Sequence, residues 1–301
     1  MKHLYSYLIF IALIISACIR PEPFHEIVPD PEWKFLPGDD LSRADPGADS
    51  GQWKSINVNE RWDDQGYKDL DGFAWYRTHF LLSKSLKKDA ILKDSLQIVL
   101  GKIDDYDQVF LNGQLLGVNG RTLPPGSKPD NKFIQENSIW YLPRTYKLAV
   151  NDPRLLWGKQ NIIAIRVYDS GGPGGMYGGG IRIKMLDIDD YVKGEYGPEK
   201  YILKQKQIVK PFTLKNNSTK YDIQGRCDVR VSKQLSGDVI LVKEWPVKLK
   251  PGEEKEFQIT LPMLQEPATV ECFYLHDNSS LKVAFRDEVP YILTQIGRAH
   301  V

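Results

Sequence analysis

Short stretches in which apolar and polar residues alternate make up most of the chain. Residues 161–168 (NIIAIRVY) place Ile163, Ile165 and Val167 on one face, and residues 73–81 (FAWYRTHFL) are rich in aromatic side chains. A period of two residues is typical of β-strands, because successive side chains point to opposite faces. No long amphipathic helix interrupts this pattern, so the sequence predicts strands throughout.

Turn signals separate the strands. Asn112-Gly113 lies between two apolar runs, residues 108–111 and 114–118. Both residues tolerate positive φ, which makes this dipeptide a strong signal for a tight β-hairpin. Many short strands joined by turns predict an all-β protein built as a sandwich or a barrel.

The N-terminus differs from the rest of the chain. Lys2 and His3 precede an apolar run that is too short to span a membrane comfortably, as in a secretory signal peptide. Residues 15–18 (ISAC) resemble the bacterial lipobox, which implies that residues 1–17 are removed and that Cys18 is lipidated. We therefore expect a tether over 18–31 and anchoring in the cell envelope, on the outer membrane facing the periplasm or the surface. An ordinary signal peptide with an incidental cysteine is the alternative.

Charge argues against a nucleic-acid partner, and the cysteine content allows one disulfide bond. The chain has 40 basic and 39 acidic residues, so it has no basic excess to neutralise a nucleic acid. Apart from Cys18, the cysteines are Cys227 and Cys272, which share strand faces with apolar residues. In an oxidising compartment they form either a disulfide or a pair of buried thiols, and both alternatives remain open.

Five segments in a fixed order resemble the sugar-binding jelly roll of family-2 glycoside hydrolases such as β-galactosidases, a fold also present in sialate O-acetylesterases. They are residues 33–53, 61–80, 100–117, 143–148 and 161–183. The resemblance implies a galactose-binding-like jelly roll over 32–190. It also implies a smaller immunoglobulin-like sandwich over 208–294, joined to the jelly roll by a charged linker over 191–207.

The last residues, 295–301 (QIGRAHV), break the alternation. One permitted back-translation of this segment reads as a sequencing-adapter sequence. We therefore expect a non-native tail and a natural chain that continues beyond Thr294.

Candidate ligand-binding residues fall into an aromatic set and a polar set. Aromatic side chains stack on sugar faces but also fill sandwich cores, so each aromatic candidate has core packing as its alternative. Arg77 needs a carboxylate or carbonyl partner if it is buried, and Asp104, Asp105 and Asp107 are candidates for an ion pair or a shared ligand site. The glycine-rich run 171–180 either borders a sugar site or forms a bulged connection. The candidates are Trp62, Tyr67, Trp140 and Tyr177 among the aromatics, and Arg77, Asp105 and Arg144 among the polar residues.

Signals for catalysis are weak. No acidic pair has a distinguishing context, no Gly-x-Ser-x-Gly elbow occurs, and the histidines lack metal-ligand spacing. We predict no cofactor, and a structural cation in the jelly roll stays open. The leading hypothesis is a carbohydrate-binding accessory region of a family-2-like lipoprotein. The alternatives are a fragment of a β-glycosidase or sialate O-acetylesterase-type hydrolase truncated before its catalytic domain, and a structural or interaction module of the envelope.

Overall fold

The computed structural model describes residues 26–29, 31–48, 51–120, 122–127, 138–177, 182–279 and 281–291. The predicted signal peptide, Cys18, most of the predicted tether and the predicted non-native tail lie outside these ranges. Within the described residues, no helix has the length and apolar character needed to cross a membrane.

The first half of the chain folds into a β-sandwich of two antiparallel sheets. Its strands are β1 (Glu26–Ile27), β2 (Glu32–Pro37), β3 (Lys54–Asn57), β4 (Gly72–Leu81), β5 (Ser95–Ile103), β6 (Tyr106–Leu111), β7 (Gln114–Asn119), β8 (Pro143–Ala149), β9 (Gln160–Asp169), β10 (Met176–Tyr177) and β11 (Arg182–Met185), with helix α1 (Lys84–Asp89) after β4. One sheet has the order β1-β11-β5-β10, with β8 also paired to β5, and the other has the order β3-β2-β4-β9-β6-β7. The predicted all-β sandwich is confirmed.

Alternation places the core where the sequence predicts it. Ile163, Ile165 and Val167 of β9 are fully buried, and their strand pairs with β4 over ten residues, from Gly72 opposite Asp169 to Leu81 opposite Gln160. Burying such side chains contributes about 1.5–3 kcal/mol each. The same register places Asp169, the last residue of β9, opposite Gly72, the first residue of β4. Asp169 therefore lies at one end of this pair of strands.

The predicted hairpin is confirmed as well. Asn112 has φ +51° and Gly113 has φ +81°, so both turn residues occupy the left-handed region between β6 and β7.

A second sandwich follows helix α2 (Ile188–Tyr191). Its strands are β12 (Val192–Tyr196), β13 (Lys200–Ile202), β14 (Gln207–Asn216), β15 (Ile223–Lys233), β16 (Val239–Leu249), β17 (Glu254–Pro262), β18 (Ala268–His276) and β19 (Lys282–Val289). β14 pairs with β12, β13 and β17 in one sheet, and the other sheet has the order β16-β15-β18-β19.

The predicted linker over residues 191–207 is wrong. Val192 to Tyr196 pair with Asn216 to Phe212, and Lys200 to Ile202 pair with Val209 to Gln207. Residues 192–202 therefore supply two strands of the second sandwich. The first sandwich likewise begins earlier than predicted, because Ile27 pairs with Ile183.

The two sandwiches contact each other around Asp187, the residue before α2. Its carboxylate accepts hydrogen bonds from the backbone N–H groups of Ile91 at 2.7 Å and Leu92 at 3.2 Å, and from Ile188 at 2.9 Å. Leu92 packs against the core of the second sandwich. Asp187 thus ties the loop after α1 to the start of the second sandwich.

Candidate functional site

Three carboxylates converge at one edge of the first sandwich. Asp104 and Asp105 form the turn between β5 and β6, and Asp169 ends β9, whose neighbour in the sheet is β6. One carboxylate oxygen from each residue lies within 4.8 Å of the others. We call these three residues the acidic cluster.

Asp105 is the member most firmly held. Its Oδ2 accepts hydrogen bonds from the backbone N–H of Ser170 at 2.8 Å and from the Ser170 hydroxyl at 2.5 Å. Its Oδ1 accepts from the Ser138 hydroxyl at 2.7 Å. Asp105 has φ +24°, an unfavourable backbone conformation for a residue other than glycine. The contacts to Ser138 and Ser170 hold it in that conformation and fix the two loops beside it.

Asp169 is fully buried and only partly satisfied. Its Oδ1 accepts from the backbone N–H of Gly171 at 2.9 Å, whereas its Oδ2 has no hydrogen-bond partner among the described residues. Burial, together with the nearby charges of Asp104 and Asp105, raises the pKa of Asp169 to about 7. Burial and Asp105 also raise the pKa of Asp104 to about 6. Asp104 and Asp169 therefore bind protons at a higher pH than ordinary carboxyl groups do.

The glycine-rich loop closes over these groups at short range. A Cβ on Gly174 would lie 2.3 Å from Asp169 Oδ2 and 2.8 Å from Trp62 Cζ2, so only glycine fits there. Two hydrogen bonds anchor the loop. The backbone N–H of Trp62 donates to the Gly174 carbonyl, and the backbone N–H of Gly174 donates to Asp63 Oδ2 at 2.8 Å. The indole N–H of Trp62 is buried and has no hydrogen-bond partner within the part of the chain that the structure describes. In that part of the chain, a donor and an acceptor beside Gly174 thus both lack partners.

Asp104 is the member of the acidic cluster that is partly open to solvent, and Arg61 and Tyr177 are its electrostatic neighbours. Asp104 is half-buried, and Tyr177 of β10 is half-buried with the Arg61 guanidinium 5.3 Å from its ring centroid. Burial and the charge of Asp104 raise the pKa of Tyr177 to about 12, so its hydroxyl remains a donor. Arg61, Asp104 and Tyr177 therefore offer hydrogen-bond donors and an acceptor at the surface.

An exposed aromatic pair lies in the loop that Ser138 ties to Asp105. Trp140 is 50% exposed and Tyr141 is 52% exposed, and their rings pack edge to face with centroids 5.9 Å apart. They follow Ser138, the residue that bonds Asp105. Their exposed faces are available to a ligand.

Arg144 joins the aromatic pair to the cluster. Its guanidinium donates to the carbonyls of Ile139 at 2.7 Å and Leu142 at 2.6 Å, and to the Ile103 carbonyl, directly before Asp104, at 2.6 Å. It also pairs with Asp107 at 2.5 Å, and both side chains are buried. Arg144 is therefore a positioning residue that a ligand does not reach.

Some of the other predicted ligand-binding residues lie in the core, and others lie at the site. Trp62 is fully buried and stacks parallel to Tyr76, so its ring faces are not open to a ligand. Tyr67 packs edge-on against Phe35, with centroids 4.6 Å apart. Asp105, Trp140 and Tyr177 lie at the site, where Asp105 is largely covered by its serine partners.

The expected pairing of Arg77 with Asp104, Asp105 or Asp107 is wrong. Arg77 is 5% exposed and donates to the Pro46 carbonyl at 2.5 Å, and its other terminal nitrogen has no hydrogen-bond partner among the residues that the structure describes. Asp107 pairs with Arg144 instead. Arg77 therefore lies apart from the acidic cluster.

The sequence pattern did not point to Asp169, Arg61 or Tyr141 as site residues, and it indicated Asp104 as a partner of Arg77 or as part of a ligand site shared with it. The signal for Asp169 was present, because an Asp at the end of a buried strand immediately before a glycine-rich loop lies where backbone donors and ligands meet. Its closeness to Asp104 depends on strand order, which alternation does not reveal.

The acidic cluster offers oxygen donors of the kind that hard cations take. Asp105 already uses both oxygens for hydrogen bonds, and Asp169 uses one. Ca²⁺ needs about six to eight oxygen ligands. The three described carboxylates meet that need only in part.

Several open clefts lie on the described surface. One, of about 410 Å³, borders the glycine-rich loop and is lined by Asp63, Asp71, Gly172 and Pro173 among others. Others, of about 530 Å³ and about 650 Å³, lie beside Trp53 and beside Trp245. Because Asp63 also accepts a hydrogen bond from the Gly174 N–H, the first cleft adjoins the candidate site.

Comparison with known proteins places the fold. No family model matches the sequence. The chain is 27% identical over 150 residues to the β-galactosidase BoGH2A of Bacteroides ovatus, a match that covers 45% of this chain and 14% of that protein.

Solved structures give the same fold. A family-2 glycosyl hydrolase from Bacteroides cellulosilyticus matches with a TM-score of 0.57 and 15% identity over 88% of this chain and 35% of its own. A β-glucuronidase from Bacteroides uniformis matches with a TM-score of 0.56 and 15% identity, over 88% of this chain and 32% of its own. The chain thus spans about a third of these structures, and its β-sandwich fold is that of family-2 glycoside hydrolase domains.

Proposed function

We propose that this chain binds carbohydrate through the acidic edge of its first sandwich, as an accessory region of a family-2-like glycoside hydrolase. The observation that carries the proposal is the exposed pair Trp140 and Tyr141. Arg144 donates to the carbonyls on both sides of this pair and to the carbonyl directly before Asp104. Exposed aromatic rings next to a few oriented polar groups are typical of small-molecule sites.

The chemistry of the site suits a polyhydroxylated ligand. Aromatic rings stack on the apolar C–H faces of sugars. Asp104 accepts hydrogen bonds from hydroxyl groups when ionised and donates one when protonated, and Arg61 and the Tyr177 hydroxyl donate. Asp105, Asp169 and Arg144 lie behind these groups and hold them in place.

The arrangement favours binding over hydrolysis within the described residues. Glycosidases need two carboxyl groups on either side of a glycosidic bond. Asp169 is fully buried and Asp105 is 7% exposed with both oxygens engaged. Neither carboxylate can reach a sugar from its observed position.

Isothermal titration of the full chain against plant and host oligosaccharides tests the proposal. We expect micromolar to millimolar binding of at least one glycan. Trp140→Ala removes the exposed ring on which a sugar would stack and should weaken binding at least tenfold, which corresponds to about 1.4 kcal/mol. Tyr291→Ala removes an aromatic residue that is 38% exposed on the second sandwich, and it should bind as wild type does. Absence of binding across the panel, or unchanged binding by Trp140→Ala, would overturn the proposal.

A hydrolase is the second candidate function, in which this chain is the N-terminal part of a β-glycosidase or a sialate O-acetylesterase-type enzyme. The observation that favours it is the small share of its relatives that the chain spans. Sequencing the gene past Thr294 tests this. A barrel domain with two acidic residues at strand ends would support the glycosidase, a Ser/His hydrolase domain would support the esterase, and a stop codon directly after residue 301 would contradict both.

We further propose that Cys18 carries a lipid that anchors the protein in the cell envelope. The support is the sequence of residues 15–18 that resembles a lipobox. Metabolic labelling with a radioactive fatty acid should mark the wild-type protein in membranes, and Cys18→Ser should be unlabelled and appear in the soluble fraction. A labelled Cys18→Ser variant would contradict the proposal.

A further inference from the structure

Cys227 and Cys272 lie side by side in the core of the second sandwich. Cys227 is in β15 and Cys272 is in β18, the neighbouring strand. Cys227 is opposite Tyr274 and Cys272 is opposite Val229, so the two cysteines are diagonal neighbours on one face of the sheet. Their exposed fractions are 0% and 1%.

The two sulfur atoms are 2.8 Å apart and unbonded in this structure. Non-bonded heavy atoms pack at about 3.5–4.0 Å, so this separation is shorter than ordinary core packing. It is longer than the S–S bond of a disulfide, about 2.05 Å. The backbone therefore already brings both side chains to within a small movement of bonding distance.

We propose that Cys227 and Cys272 are an oxidation site at which a disulfide bond joins β15 to β18. The two thiols lose two protons and two electrons as the S–S bond forms. A disulfide oxidant of the thiol-exchange class, such as oxidised glutathione or a protein disulfide oxidase, takes up the electrons and is reduced to thiols. The inference is independent of the proposed function, because it uses no residue of the acidic cluster.

Access to the thiols determines when this reaction occurs. An oxidant must first form a mixed disulfide with one sulfur, and no sulfur surface is open in the closed sandwich. The hydrogen bond with Cys227 and burial also raise the pKa of Cys272, which disfavours the reactive thiolate in the folded protein. Oxidation therefore belongs to the folding of the second sandwich, before β18 closes on β15.

Peptide mapping of the full chain tests the bond directly. The protein is refolded with reduced and oxidised glutathione, unfolded with an alkylating reagent and digested with trypsin. Cleavage at Arg226, Arg230, Lys255 and Lys282 releases peptides 227–230 and 256–282. We expect these two peptides linked by a disulfide, and alkylated separately when the sample is first reduced.

Control variants separate this pair from the remaining cysteine. Cys18→Ser should retain the linked peptides, because Cys18 does not contribute to the bond. The double variant Cys227→Ala/Cys272→Ala should contain no linked peptides. If both peptides of the refolded wild-type chain are alkylated without reduction, the two residues are hydrogen-bonded thiols and the proposal is wrong.

Thermal unfolding is a second test, and it uses only the wild-type chain. The cysteines are 45 residues apart in sequence, so a bond between them restricts the unfolded chain substantially. The oxidised protein should melt on the order of 10 °C higher than the reduced protein. Equal melting temperatures for chains shown by peptide mapping to be oxidised and reduced would contradict the stabilising role of the bond.

Discussion

At the residue scale, Asp169 shows how burial changes a carboxyl group. Its ordinary pKa is 3.8, and in the folded protein it is raised to about 7. The folded state therefore binds the proton more tightly than the unfolded chain does. The stability contributed by the protonated form is fully present below about pH 4 and is lost as the pH rises through about 7.

Replacing Asp169 by Asn should remove this pH dependence. The amide keeps the acceptor for the Gly171 N–H and carries no ionisable proton. Between about pH 5 and about pH 8, wild type should lose on the order of 2–4 kcal/mol more unfolding free energy than Asp169→Asn, as measured by urea denaturation at both pH values. Asp64→Asn, an exposed substitution nearby, should follow wild type. Equal losses for wild type and Asp169→Asn would show that the pKa is not raised.

Gly174 shows the opposite kind of constraint, which is steric. An alanine there would place its methyl group 2.3 Å from Asp169 Oδ2 and 2.8 Å from Trp62 Cζ2, in a loop held from both sides. We expect Gly174→Ala to lower the unfolding free energy by about 1–3 kcal/mol. Gly47→Ala is the matched control, because its methyl group would meet only Asp45 Oδ1 at 3.4 Å. Chemical denaturation of both variants checks this, and a stable Gly174→Ala would show that the loop moves aside.

Residue type alone predicted the site only in part. Trp62, Arg77 and Arg144 have the chemistry of ligand contacts, yet all three are buried, because large side chains that bind sugars also fill cores and brace loops. Trp140 was distinguished only by its position at the end of a long loop. Exposure, which separates these cases, depends on packing between strands distant in sequence.

At the element scale, alternation predicted β4 and β9 because both are long and half-apolar. It missed β12 and β13, in which most of the exposed residues are charged and a Gly-Pro pair separates the strands. Short strands carry too few periods to be distinguished from a charged connection. Their strand conformation comes from pairing with β14, a neighbour that local sequence does not specify.

Arg144 connects three strands of the first sandwich. It extends from β8 to Asp107 of β6 and to the carbonyl of Ile103 at the end of β5. Replacing it by Met would leave Asp107 buried without its cation, so Arg144→Met should lower the unfolding free energy by about 3–5 kcal/mol. The double variant Arg144→Met/Asp107→Leu should regain part of this loss in urea denaturation. A double variant that is less stable than Arg144→Met alone would contradict this account of the ion pair.

In the molecule as a whole, both hydrogen bonds and apolar contacts connect the two sandwiches. The Tyr221 hydroxyl hydrogen-bonds Asp94, and Leu92 packs on the core of the second sandwich. Asp187 bonds the loop that carries Leu92 and caps α2. These contacts predict that the sandwiches unfold together, although each has its own core.

Asp187 is the group whose loss should separate them. Its carboxylate serves three backbone N–H groups at once, and no single side chain replaces that set. Calorimetry of the wild-type chain should show one transition, whereas Asp187→Ala should show two, with the less stable sandwich weakened by about 1–3 kcal/mol. Asp222→Ala, an exposed acidic residue beside Tyr221, should leave one transition. If Asp187→Ala still unfolds in one transition with equal calorimetric and van't Hoff enthalpies, apolar packing around Leu92 is sufficient to couple the sandwiches.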